Sequence, residues 1–97
     1  MGYRRNAVDD NQNEIVDALR KAGCSVTPTS QAGDGYPDLC VGFRGVNYLL
    51  EVKDGSKPPS KQKLTEKQRK WHEQWLGSVS IVNSVEQALK AVGVWES

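Results

Sequence analysis

The chain has 97 residues, thirteen Lys and Arg against twelve Asp and Glu, and one histidine. This length makes one domain with a single modest core and leaves no room for a second. The near-neutral balance carries no overall signature of a polyanion partner, no apolar stretch approaches membrane-spanning length, and the start lacks the hydrophobic segment of a signal peptide.

Residues 1–9 show no apolar periodicity and read as a loose arm, with Arg4 and Arg5 as a small basic patch. Ile15, Val16, Leu19 and Ala22 form one stripe at helical spacing and predict a helix over residues 10–22. Asp9 and Asp10 offer N-cap oxygens there, and Gly23 suits a C-terminal cap. Residues 24–27 alternate as a short strand, followed by a polar, glycine-rich loop at 30–36 of the kind that lines sites. Cys24 and Cys40 are the only cysteines and form no Cys-x-x-Cys pair. Each reads as a small core residue in a strand, so a reduced, cytoplasmic protein is expected.

Residues 38–43 and 46–53 are rich in strand formers and flank Arg44-Gly45, short enough for a two-residue hairpin loop in which glycine supplies the positive φ. Paired prolines exclude helix or central strand over residues 54–61. A second helix is predicted over residues 65–76, with Thr65 as N-cap and Gln68 at capping-box spacing. Trp71 and Trp75, four apart, are expected on its buried face, His72 as a surface or packing residue, and Trp95 as an interface residue. Residues 78–82 read as a strand. A last helix over 84–92 starts Ser-x-x-Gln and turns Val85, Ala88, Leu89 and Val92 to one face. The order is helix, three strands, helix, strand, helix, an α/β pattern.

The hairpin makes a geometric prediction. If Phe43 pairs with Val46, counting outward pairs Cys40 with Leu49 and Asp38 with Glu51. Directly opposed residues have Cβ atoms about 4.5–5.5 Å apart on the same face. Lys53, two residues beyond Glu51, shares that face. Opposed like charges destabilise a sheet unless something neutralises them, and a divalent metal beside a phosphodiester is the natural neutraliser. The plainer reading makes Asp38 a turn residue after Pro37, and Glu51 with Lys53 a solvated strand end. Against it, Glu51 closes the apolar run Tyr48-Leu49-Leu50, where burying a carboxylate without a partner is costly. Lys57, Lys61, Lys63, Lys67, Arg69 and Lys70 follow, with Glu66 as the only acid among them. Such a charge run is either a solvated face or a phosphate-contact surface.

With this order around Pro37-Asp38 and Glu51-Val52-Lys53, the chain resembles the PD-(D/E)xK nuclease superfamily. Through Gly35-Tyr36-Pro37-Asp38-Leu39 and Leu64-Thr65-x-x-Gln68 it resembles, more narrowly, the stand-alone VRR-NUC domain of phages and bacteria. The resemblance covers most of the chain and implies a single domain over 1–97. Its fold would be a restriction-endonuclease-like core of order α-β-β-β-α-β-α, with a mixed central sheet flanked by helices. It implies that Glu14, Asp38, Glu51, Lys53 and Gln68 converge on a site where Asp38, Glu51 and the main-chain carbonyl of Val52 ligate Mg²⁺ or Mn²⁺. Lys53 would orient the attacking water or stabilise charge in the transition state. Glu14 has an alternative as an exposed helical carboxylate, and Gln68 as a capping-box residue. The implied activity is a DNA endonuclease acting as a homodimer on branched DNA such as Holliday junctions. The lysine-rich segment with Arg69 would contact the backbone without reading sequence. A non-catalytic nucleic-acid-binding module on the same fold is the alternative.

Overall fold

The computed structural model describes residues 11–95, so the expected N-terminal arm, its Arg4 and Arg5, and the Asp9 and Asp10 caps lie outside the described residues. Helix α1 (Gln12–Lys21) leads to strands β1 (Ser25–Pro28), β2 (Leu39–Phe43) and β3 (Val46–Val52). Helix α2 (Glu66–Gln74), strand β4 (Ser80–Val82) and helix α3 (Val85–Ala91) follow, giving the α-β-β-β-α-β-α order. Single turns of 3₁₀ helix at Ser30–Ala32 and Pro59–Lys61 punctuate the two long loops.

The four strands form one sheet in chain order. β1, β2 and β3 pair antiparallel, and β4 joins parallel to β3 after the crossover through α2, so the sheet is mixed. The hairpin has the expected register, with Phe43 opposite Val46, Cys40 opposite Leu49 and Leu39 opposite Leu50. Both loop residues have positive φ, 52° at Arg44 and 80° at Gly45. That combination is the type I′ turn whose twist matches the strands, so Arg44 shares the left-handed conformation expected of the glycine alone.

Strand alternation divides the sheet into two unlike faces. Leu39, Val41, Leu50, Val52 and Val82 lie in the core with Ile15 and Leu19 of α1 and Ala88 and Leu89 of α3. α1 packs on α3 and β1, and α3 packs on β4. A Schellman cap, Gly23 N–H to Arg20 carbonyl and Cys24 N–H to Leu19 carbonyl, turns the chain from α1 into β1. Ser84 caps α3 by accepting from the Gln87 amide.

The opposite face carries Cys40, Leu49 and Glu51, and here α2 corrects an expectation. No residue of α2 is buried, and the helix ends at Gln74 rather than Leu76. Trp75 is 41% exposed and Leu76 fully exposed. The indoles of Trp71 and Trp75 stack on each other at 4.5 Å and meet the edge of Tyr36 at 5.1 and 6.4 Å. Four-residue spacing does put the two tryptophans on one side of the helix. That side meets a loop at the sheet's margin, which covers Trp75 only in part.

Candidate active site

Asp38 stands one residue before β2, and its main chain is held from both sides. Thr29, just past β1, donates its hydroxyl to the Pro37 carbonyl at 2.8 Å and its amide to the Asp38 carbonyl at 2.7 Å. The Asp38 amide donates at 3.0 Å to the carbonyl of Leu50, the residue already opposite Leu39. The paired register itself ends at Leu39 opposite Leu50, one position short of the expected Asp38–Glu51 pair. The Asp38 carboxylate accepts from the Val52 amide at 2.8 Å, standing in for the ladder acceptor that β2 no longer supplies.

Glu51, Val52 and Lys53 are all buried, Glu51 fully and Lys53 at 8% exposure. A buried ammonium and a buried carboxylate two residues apart need partners. Gln68 of α2 supplies one to each. Its Oε1 accepts from Lys53 Nζ at 2.8 Å, and its Nε2 donates to Glu51 Oε2 at 3.0 Å. The same Oε1 accepts from the Thr65 amide while the Gln68 amide donates to Thr65 Oγ1, a complete capping box. The two roles weighed for Gln68 are therefore compatible. An amide oxygen has two lone pairs, one for the cap and one for Lys53, and its NH₂ remains for Glu51.

α2 approaches closely because Gly35 lets it. The Gly35 backbone has φ of +84°, and a Cβ there would stand 2.3 Å from the Lys67 carbonyl oxygen. Only glycine allows the 30–36 loop to press on the first turn of α2. The loop after Lys53 is set by Asp54, whose carboxylate accepts from the Ser56 amide and hydroxyl at 2.9 and 2.7 Å. Those bonds hold its pKa below the usual carboxylate range.

Other sequence-predicted residues lie further out. Glu14 is exposed and lines a cleft with Asp54, Ser56, Asn83 and Glu86, away from the Gln68 bridge. Asn11 borders that cleft and donates to the Lys53 carbonyl at 3.0 Å, a link between the two regions. Lys57, Lys61, Lys63, Lys67 and Lys70 lie on the outer surface, and all five are exposed. Arg69 differs from them, since its guanidinium is paired with Glu66 and Glu73 on its own helix, and both carboxylates push its pKa up.

One residue was missed. His72, read as a surface or packing residue, is 13% exposed, and its Nε2 lies 3.6 Å from Glu51 Oε1. Burial, and secondarily the Lys53 charge, pulls its pKa down, leaving the imidazole neutral at pH 7. Its spacing of four from Gln68 was the available signal.

The donor chemistry of this corner fits a hard divalent cation. Asp38, whose carboxylate accepts from the Val52 amide, and Glu51, the residue before Val52, both offer oxygen donors, and no three His, Cys, Asp or Glu side chains among the described residues gather into a metal cage. Mg²⁺ suits such a site, since it commonly takes one or two carboxylates and keeps several waters.

No helix among the described residues is long and apolar enough to cross a membrane. Comparison with protein-family models and with curated protein sequences finds no match. Among solved structures, one titled "VRR_NUC domain" superposes with a TM-score of 0.60 at 29% identity, covering 81% of this chain and 86% of its own.

Proposed function

We propose that this chain, a VRR-NUC domain with a restriction-endonuclease-like fold, is a divalent-metal-dependent endonuclease that hydrolyses phosphodiester bonds in branched DNA. The observation that carries the reading is the Glu51–Gln68–Lys53 bridge, around the Val52 whose amide donates to the Asp38 carboxylate. Asp38 and Gln68 thus both bond to the three-residue stretch Glu51-Val52-Lys53.

In this reading Asp38, Glu51 and the Val52 carbonyl hold Mg²⁺ or Mn²⁺. A bound ion supplies Lewis-acid polarisation of the phosphoryl oxygen and a water of lowered pKa, which removes the need for a histidine base. Lys53 orients the attacking water or stabilises charge developing on the phosphoryl group. Gln68 fixes the ammonium relative to the carboxylate, so neither reorganises during the reaction. Glu14 enters through the family resemblance alone, as the first-helix glutamate of the metal site. Lys57, Lys61, Lys63, Lys67 and Lys70 contact backbone phosphates, with Arg69 as a weaker partner because its charge is already paired. No base-reading motif accompanies them, which favours shape over sequence as the determinant. A homodimer would set two such sites on a four-way junction, and exposed Leu76 and Trp95 offer apolar surface for it.

Four-way, flapped and linear duplexes incubated with Mg²⁺ or Mn²⁺ test the reading. Cleavage of the branched substrates above the linear one, abolished by EDTA, is expected. Salt-sensitive binding with no cleavage in any divalent metal would favour the non-catalytic module instead. Light scattering showing a strict monomer would remove the two-fold arrangement and leave the nuclease intact.

A further inference from the structure

Gln68 and His72 lie one turn apart on α2, and both reach β3 at the same residue. Gln68 Nε2 donates to Oε2 of Glu51, while His72 Nε2 stands 3.6 Å from Oε1. The histidine nitrogen is inaccessible to solvent and has no hydrogen-bond partner of its own. A ring placed only for packing would leave that buried polar atom at a cost. His72 is also a poor candidate for direct metal ligation, because it does not gather with Asp38 and Glu51 into a three-ligand group.

We propose that His72 is a positioning residue of the hydrolytic site, its Nε2–H directed at Glu51 Oε1, so that α2 grips the carboxylate through both oxygens. Each carboxylate oxygen carries a second lone pair, which leaves Glu51 able to ligate a cation while held this way. α2 contributes no buried residue of its own, so what it brings to Glu51 is polar contact rather than apolar packing. The proposal rests on the reading of Glu51 as a metal ligand.

Two measurements test it. In the metal-free protein, long-range ¹H–¹⁵N NMR should show His72 as the Nε2–H tautomer, and the Nδ1–H tautomer would overturn the proposal. Calorimetric titration with Mn²⁺ should then show His72→Phe, which keeps a ring, binding about 10-fold more weakly than wild type. His72→Gln, which returns an N–H near the Nε2 position, should recover most of that affinity, with both variants folded by circular dichroism. Wild-type affinity in His72→Phe, or equal loss in both variants, would overturn the positioning role. Wild-type protein that neither binds Mn²⁺ nor cuts DNA would overturn the metal-site reading, and this proposal with it. Normal cleavage by wild type with an unaffected His72→Phe would sink this proposal alone.

Discussion

The two faces of the sheet are built on different principles. Under α1 and α3 the contact is apolar and closed, with Ile15, Leu19, Leu39, Val41 and Leu50 fully buried. On the other face α2 buries none of its residues and is held by polar bonds to Glu51 and Lys53 and by an aromatic contact with Tyr36. Stability should therefore reside in the first face and chemistry in the second. Substitutions can separate them.

The largest contrast is between Leu50 and its near neighbour Lys53. Leu50→Ala opens a cavity in the closed face and should cost about 2–5 kcal/mol in denaturant unfolding. Lys53→Met should leave the protein folded while lowering cleavage by at least about 100-fold, the loss typical of one transition-state charge stabiliser. Equal destabilisation by both would erase the proposed division.

Gln68 sharpens the comparison within α2, because one side chain serves the helix and the site. Thr65→Ala should cost about 1 kcal/mol of cap. Gln68→Ala should cost a similar amount and also lower metal affinity by about 10-fold or more, as for other residues that orient a ligand. Metal titration of the two variants at matched stability checks this. Affinity falling equally in both would mean that Gln68 acts through the helix alone.

Gly35→Ala reaches the same site through the backbone. Its Cβ would meet the Lys67 carbonyl at 2.3 Å in a left-handed conformation, so the loop and α2 must part. Changed fluorescence from the Trp71–Trp75 pair together with weakened metal binding is the expected result. Unchanged fluorescence would show that α2 is held without the close approach.

The smallest effects belong to the outer surface. Replacing one of the lysines with alanine should reduce the slope of log K against log salt by about 0.9 for each phosphate it had neutralised. Arg69→Ala should change it less, because Glu66 and Glu73 already occupy the guanidinium. A lysine effect no larger than that of Arg69 would move the DNA path elsewhere.

What the sequence disclosed, and what it hid, follows the same division. The hairpin was legible because Arg44-Gly45 leaves few loop geometries, and once the turn is set, counting fixes which residues oppose. The α1 and α3 stripes were legible because apolar burial follows helical period. α2 was misread at Trp75, since the same period says nothing about whether a sheet or only a loop lies opposite. The double role of Gln68 required knowing that Lys53 and Glu51 come within reach of the cap, which is a matter of tertiary distance. His72 belongs to no apolar stripe, and its spacing from Gln68 gains meaning only once Gln68 is known to meet Glu51.

Anomalous diffraction from Mn²⁺-soaked crystals tests the central claim most directly. The account predicts a peak within ligand distance of the Asp38 and Glu51 carboxylates, beside the Gln68 bridge. A peak in the Glu14, Asp54 and Glu86 cleft instead, in a protein that still cleaves DNA, would contradict it.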